Sequence, residues 1–164
     1  MYNIRKAEET DISSIKEIYN KEIKECIATF DTEEKSLEDM KKWFKSHETK
    51  NPIIVAEFDN KVLGWASLSR YDDKKAYSDT AEISLYISKE YRGKGIGKKM
   101  MKHLLDEGKK RGLHTVIARI TDGNEVSVTL HKKFGFEYVG VYKEVGKKFG
   151  KILDVYLMQK TFKD

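Results

Sequence analysis

The stretch Arg92-Gly93-Lys94-Gly95-Ile96-Gly97 is a glycine-rich turn between a predicted strand and a predicted helix. Before it, residues 81–87 alternate between apolar and polar side chains, as a strand with one buried face does. After it, apolar residues recur at helical spacing at positions 96, 100, 101, 104 and 105. The first amides of a helix have no partner inside the helix, and glycines let a ligand approach them closely. With the helix dipole and the cationic side chains nearby, the turn predicts a pyrophosphate site.

A plain tight turn on a basic surface would have a similar composition, and two familiar nucleotide motifs do not fit. A P-loop has four residues between its glycines and Ser or Thr after its lysine, whereas only three residues separate Gly93 from Gly97 and Lys99 follows Lys98. A dinucleotide fingerprint would have its third glycine at position 98, which is lysine. The turn therefore argues against an ATPase or a dehydrogenase.

The remaining hydrophobic pattern predicts an α/β or α+β domain with a largely connected sheet. The predicted order is a strand and two helices, three antiparallel strands, a helix, a strand, a helix and a final pair of strands. Strands are predicted at 2–5, 53–58, 62–68, 81–87, 115–120, 139–145 and 152–158. Helices are predicted after an N-cap at Asp11, after a capping box at Ser36, from Ile96 to before Gly112, and at 124–134.

The chain has 164 residues, 39% hydrophobic and 36% charged, which fits one domain over residues 1–164 with its own core. A lone cysteine, Cys26, can form neither an internal disulfide nor a cysteine-based zinc site, and no metal is expected. No apolar run approaches the roughly 20 residues of a membrane span, and the charged start is unlike a signal peptide. We therefore expect a protein of the reducing cytoplasm that contacts no membrane.

The pattern Arg-x-x-Gly-x-Gly, at Arg92, Gly95 and Gly97, resembles the acetyl-CoA pyrophosphate loop of the GNAT superfamily of N-acetyltransferases. The order of the predicted elements is similar to that family too. Further segments, in order over nearly the full length, resemble its phosphinothricin N-acetyltransferase group: Tyr19-Asn20, Ala28-Thr29-Phe30-Asp31-Thr32-Glu33, Gly64-Trp65-Ala66-Ser67, Ala76-Tyr77, Thr80-Ala81-Glu82, residues 124–127, Leu130-His131 and residues 145–155. One such match is weak evidence, but this many in sequence are specific.

The resemblance implies a fold, a reaction and an assembly. The fold would be a mixed, mainly antiparallel sheet with helices on both faces, splayed open between the strands at 81–87 and 115–120. The reaction would be acetyl transfer from acetyl-CoA to the amine of a small amino acid or analogue, such as phosphinothricin, methionine sulfone or methionine sulfoximine. The assembly would be a homodimer with the acceptor pocket near its interface.

Two residues are candidates for moving protons, because an ammonium group must lose a proton before it attacks a thioester. Glu82 is the only charged residue of its strand, and the resemblance places the family's catalytic glutamate there. His131 stands four residues before Gly135, where the phosphinothricin group also has histidine, and imidazole titrates near neutral pH. Without the resemblance, an ordinary strand glutamate and helix histidine would be the simpler interpretation. Which of the two is base and which is acid stays open.

The resemblance also implies residues that hold the two substrates. Those for acetyl-CoA are Leu85, Tyr86, Ile87, Arg92, Gly93, Lys94, Gly95, Ile96, Gly97, Lys98, Asn124 and Lys133. Backbone groups of the strand would bind the pantetheine arm as an added strand does, and Asn124 is also a suitable helix N-cap. Those for the acceptor amine are Thr29, Phe30, Lys75, Ala76 and Tyr77. The acceptor stays open, because Lys75 stands where arginine is common and Ile152 replaces a tryptophan of the pattern.

Three other functions compete with this hypothesis. The acceptor could be a protein N-terminus or another amine. The net charge of +5 is compatible with a nucleic-acid-binding domain, but the lysines are scattered among glutamates instead of gathered on one face, so no nucleic acid is expected. A CoA-binding regulator without catalysis is disfavoured because Glu82 and His131 are both present.

Overall fold

The computed structural model describes residues 1–47 and 49–163. The strands are β1 (Asn3–Lys6), β2 (Ile53–Phe58), β3 (Lys61–Arg70), β4 (Thr80–Ile87), β5 (Thr115–Thr121), β6 (Glu137–Lys148) and β7 (Lys151–Thr161). The α-helices are α1 (Ile12–Glu25), α2 (Leu37–Lys45), α3 (Ile96–Lys110) and α4 (Glu125–Lys133). Every predicted element is present in the predicted order. Their ends differ by a few residues, most of all in β6 and β7, which form a longer hairpin than the pattern indicates.

The strands form one seven-stranded sheet in the order β1-β2-β3-β4-β5-β7-β6. All neighbours are antiparallel except β4 and β5, which run parallel. These two strands pair only from Thr80↔Thr115 to Glu82↔Ile117, although both continue beyond that point. The sheet is therefore splayed open between them, which confirms the predicted fold. The edge of β4 that faces β5 is left without a strand partner over residues 83–87.

Alternation along the strands builds an apolar layer on each face of the sheet. One layer contains the buried side of α3, with Met100 and Leu104 fully enclosed against β2 to β5. The other contains α1 and α2, packed around Trp65 of β3. Because successive side chains of a strand point to opposite faces, Ile83 of β4 lies in the α3 layer while Glu82 faces the side of α1 and α2.

The predicted N-caps of α1 and α2 differ in how well they match the structure. At α2, Ser36 and Asp39 form the predicted capping box, each side chain accepting a hydrogen bond from the other's backbone amide. At α1, Asp11 occupies the predicted N-cap position, but its side chain makes no capping hydrogen bond. Its carboxylate instead accepts hydrogen bonds from Arg5 Nη1 at 2.7 Å and from the Glu8 amide at 2.8 Å. Within residues 1–47 and 49–163, no helix is both long and apolar enough to cross a membrane.

Candidate active site

A cavity of about 850 Å³ passes through the sheet where β4 and β5 separate. Its walls include side chains from both faces of β4, such as Leu85 and Tyr86, and residues 118–120 of β5. One mouth lies at the starts of α3 and α4, and the other lies beside residues 26–28, which follow α1. A long, narrow ligand could therefore enter at α3 and present its end on the α1 side of the sheet.

The glycine-rich turn forms the α3 mouth of this cavity. Gly93 has φ +75° and Gly95, the residue before α3, has φ +82°, so both adopt a backbone conformation that favours glycine. The first backbone bond that closes a turn of α3 runs from the Lys99 amide to the Gly95 carbonyl, so the amides between them have no intrahelical acceptor. Gly93, Gly95, Ile96 and Gly97 all line the cavity. This arrangement fits a bound pyrophosphate.

Two lysines add charge at the same mouth. Lys98 of α3 and Lys133 of α4 both line the cavity and are exposed. The pKa of Lys133 is lowered because the Lys98 ammonium lies within hydrogen-bonding reach of its own. Two cations held this close favour an anion between them. Lys94 is not part of the lining, and its ammonium lies 5.6 Å from the centre of the Tyr91 ring.

Arg92 lines the cavity, but its guanidinium is engaged within the protein. Its Nε donates to the Ile87 carbonyl at 2.9 Å, and its Nη2 donates to Oε1 of the buried Glu22. Arg92 therefore ties the end of β4 to α1, a role that the sequence pattern does not reveal.

The residues predicted to contact the pantetheine arm lie along the open slot. Leu85, Tyr86 and Ile87 line it, and the edge of this segment that faces β5 has no strand partner, as strand addition would require. The Ile87 carbonyl is the exception, because it accepts from Arg92. Asn124 lines the opposite wall and caps α4, its Oδ1 accepting from the Ser127 amide at 3.3 Å. The cap uses the oxygen of the side chain, so its amide NH₂ remains a donor.

His131 is a buried residue of the cavity wall, only 6% exposed. A ring nitrogen, Nδ1, lies 2.7 Å from the Ser127 carbonyl, and because a carbonyl can only accept, Nδ1 carries the hydrogen. Burial lowers the pKa of His131, while the bond to Ser127 raises it by less. The imidazole is therefore neutral near pH 7, with its lone pair on Nε2, so it can accept a proton.

Glu82 lies at the point where β4 and β5 part, in a bidentate ion pair with Arg119 of β5. Its two carboxylate oxygens accept from Arg119 Nε at 2.8 Å and Nη2 at 2.6 Å. Arg119 lines the cavity and Glu82 does not. The hydrogen bond to Glu82 raises the pKa of Arg119, which stays charged.

The predicted acceptor residues fall into two groups. Thr29 is buried and hydrogen-bonded to the Tyr19 hydroxyl at 2.9 Å, while Phe30 packs so closely on Gly146 that a Cβ there would lie 2.2 Å from the ring. The other group, Lys75, Ala76 and Tyr77, forms an exposed one-turn 3-10 helix. Neither group is part of the cavity lining. Tyr77 packs against Tyr71, with the ring centroids 5.3 Å apart.

Three further charged residues lie in or beside the cavity wall, and no sequence motif indicates them. They are Arg119, Glu22 and Lys148. Lys148 is buried, and its ammonium donates to the Cys26 and Thr29 carbonyls, both at 2.7 Å, so it holds the loop after α1. Burial lowers the pKa of this lysine. Glu22 and Arg119 could have been found from the sequence, because each is a charged residue in the middle of an apolar helix face or strand.

A splayed α/β sheet, a turn that fits a pyrophosphate and a slot that fits an extended arm are typical of a CoA-dependent acyltransferase. The family model described as "Acetyltransferase (GNAT) family" matches residues 15–136, and the chain belongs to this family. The phosphinothricin N-acetyltransferase of Streptomyces coelicolor is 35% identical over 93% of this chain and 91% of its own length. The L-methionine sulfoximine/L-methionine sulfone acetyltransferase of Pseudomonas paraeruginosa is 34% identical over 96% of this chain and 92% of its own.

A solved structure agrees with this assignment. The GNAT superfamily phosphinothricin acetyltransferase from Sinorhizobium meliloti, in complex with acetyl-CoA, is 33% identical with a TM-score of 0.93. The match covers 98% of this chain and 88% of that one. The predictions of the family, the acyltransferase activity and acetyl-CoA as cosubstrate are confirmed.

Proposed function

We propose that this protein acetylates the α-amino group of a small amino acid or analogue, of the phosphinothricin, methionine sulfone or methionine sulfoximine type. The cavity through the sheet carries this proposal, because it joins an anion-binding mouth at α3 to the proton-accepting His131 and the charged Arg119. The names of the relatives support the class of acceptor.

In this proposal the protein binds acetyl-CoA, which supplies the thioester, along the whole slot. The amides of residues 93–98 hold the pyrophosphate, and Lys98 and Lys133 neutralise phosphate charge. The backbone of residues 85–87 pairs with the pantetheine arm, and the Asn124 amide donates to it from the other wall.

Glu82 and His131 move the protons. Glu82 takes one proton from the ammonium group, and the freed amine attacks the thioester carbon. As the C–N bond forms and the C–S bond breaks, Nε2 of His131 takes the second proton from nitrogen and returns it to the leaving sulfur. The proton on Glu82 then passes to solvent. Each positioned acid or base contributes about 10²- to 10⁴-fold to such a reaction.

We also propose that one domain, spanning the chain, works as a homodimer in the cytoplasm. β6 is an edge strand, and its hairpin with β7 exposes several large apolar side chains: Tyr138, Val139, Tyr142, Val145, Phe149 and Ile152. Such a patch at a sheet edge is a suitable surface for a second copy. Light scattering at micromolar concentration tests the dimer, and a monomer would contradict it.

A cytoplasmic location is consistent with the free thiol of Cys26.

The acceptor class is tested by measuring thiol release from acetyl-CoA against a panel. The panel contains phosphinothricin, methionine sulfone, methionine sulfoximine, ordinary amino acids and short peptides with free N-termini. We expect release with the free amino acids and analogues. Release with peptides alone would move the acceptor to protein N-termini and overturn the proposal.

A further inference from the structure

The ion pair between Glu82 and Arg119 lies at the closed end of the slot. Glu82 is the last residue of β4 in register with β5, opposite Ile117, and Arg119 is two residues further along β5. The pair therefore bridges the two strands where they begin to separate. An acetyl group carried through the slot from the α3 mouth would arrive beside it.

This ion pair is accessible to a ligand. The Arg119 side chain is 55% exposed and lines the cavity, and that of Glu82 is 25% exposed. Tyr71 and Tyr142 also lie close enough to Arg119 to interact with its charge. Ion pairs with this much solvent contact contribute little to stability, so a ligand with better partners can open them.

We propose that Glu82 and Arg119 together form the binding site for the zwitterionic head of the acceptor amino acid. Arg119 binds the α-carboxylate in the bidentate geometry it now uses for Glu82, and Glu82 is released to receive the α-ammonium proton. This inference rests on the proposed function and deepens it, because it names the residue that selects amino acids over simple amines.

The charges of the pair match those of the ligand. An amino acid carries its ammonium and carboxylate on the same carbon atom, and the pair offers a carboxylate and a guanidinium in direct contact. The planar guanidinium binds a carboxylate through two parallel hydrogen bonds, which the ammonium of Lys75 cannot do. Lys75 is moreover exposed and outside the cavity lining.

A pair of acceptors isolates the carboxylate contact. Methionine sulfone and 3-(methylsulfonyl)propylamine have the same side chain and a primary amine, but only the first has a carboxylate. We expect Arg119→Gln to lower kcat/KM for methionine sulfone about 10- to 100-fold more than for the amine. This is the loss expected when charge-assisted hydrogen bonds to a carboxylate are removed. For Arg119→Lys, this difference between the two acceptors should be smaller than for Arg119→Gln, because lysine keeps the charge but not the bidentate geometry. The KM for acetyl-CoA should stay unchanged.

Two controls separate this effect from others. Glu82→Gln should lower kcat/KM for both acceptors by the same factor, because both must lose a proton. Arg111→Gln removes the same charge from the end of α3, where Arg111 binds the Thr49 carbonyl, and should leave the ratio unchanged. An equal loss for both acceptors in Arg119→Gln and Arg119→Lys would overturn the inference and leave Arg119 as a partner of Glu82 only. If the wild-type protein acetylated peptides but not methionine sulfone, the proposed function itself would fail, and this inference with it.

Discussion

Lys98 of α3 and Lys133 of α4 lie side by side at the mouth of the slot, and their repulsion lowers the pKa of Lys133. An anion bound between them would remove that repulsion. We therefore expect acetyl-CoA to raise the Lys133 pKa, and Lys133→Met to weaken acetyl-CoA binding about three- to tenfold, less so at high salt. Calorimetry at two salt concentrations measures this. Lys132→Met, on the same helix but outside the lining, is the matched control, and equal effects of the two would contradict the assignment.

Gly97, in the first turn of α3, has room for a methyl group in the free protein. A Cβ there would lie 3.4 Å from Ile87 Cδ1 and 3.7 Å from Leu130 Cδ2, which are ordinary contacts. Alanine favours a helix over glycine by about 1 kcal/mol, so Gly97→Ala should unfold at the same or a higher temperature. It should bind acetyl-CoA about tenfold more weakly, or about 1.4 kcal/mol, because the methyl occupies the approach to the amides.

Gly140→Ala is the control for Gly97→Ala. A Cβ at Gly140 of β6 meets nothing within 4 Å, and the residue is not part of the cavity wall. Both alanine variants should keep the fold. Normal acetyl-CoA affinity in Gly97→Ala would show that the ligand does not approach this turn of the helix.

The ion pair of Arg92 with the buried Glu22 should matter more for stability than for cofactor binding. Arg92→Ala leaves a carboxylate unpaired inside the protein, which costs about 1–3 kcal/mol. For a chain of this size, thermal unfolding should occur about 2–4 °C lower for each kcal/mol lost. Glu22→Gln added to Arg92→Ala should restore part of the loss, because a neutral amide replaces the unpaired charge. A double variant as unstable as the sum of the single changes would argue against the pairing.

Glu82→Gln tests the first proton transfer. We expect kcat/KM at pH 7 to fall about 10²- to 10⁴-fold with little change in acetyl-CoA affinity. Some activity should return as pH rises, because free amine then accumulates without a base. Glu57→Gln is the matched control, since Glu57 is a strand glutamate bound to Arg5 at 2.6 Å and is about as exposed as Glu82. Near-normal kcat/KM in Glu82→Gln would transfer the base role to His131 or to water.

His131 should set the acidic limb of the pH–rate profile. Its pKa is lowered by burial, so it stays neutral to a pH below the usual value near 6.5, and activity should fall only below that. Because the unfolded chain takes up the proton first, stability should also fall as pH drops from about 6.5 towards the folded pKa. His131→Gln should abolish the activity step and remove the part of the stability step that His131 contributes.

His47 provides the control for His131. It is likewise held through Nδ1 by a helix carbonyl, that of Trp43 at 2.7 Å, and burial lowers its pKa in the same direction. His47 lies outside the cavity lining. His47→Gln should therefore change the pH dependence of stability and leave the acidic limb of the activity in place. Loss of that limb in His47→Gln would contradict the role given to His131.

The elements of the fold and the location of the glycine-rich turn could be predicted from the sequence, because their signals are local. Side-chain alternation over β4, the apolar stripe of α3 and the glycines at 93 and 95 each depend on residues only a few positions apart. The same holds for the Asn124 cap, which accepts from an amide three residues on. The resemblance added the splay between the strands at 81–87 and 115–120, and the likeness of Glu82 and His131 to the family's site.

The ion pairs and the buried contacts of the site were decided by the tertiary structure, because they join residues far apart in the chain. Arg119 pairs with Glu82 across 37 positions, Arg92 with Glu22 across 70, and Lys148 with the Thr29 carbonyl across 119. No periodicity connects such partners. They meet because the sheet brings β5 beside β4 and the β6–β7 hairpin against the loop after α1. The sequence by itself therefore determined the parts of the site, and the packing of the sheet determined which charges face each other.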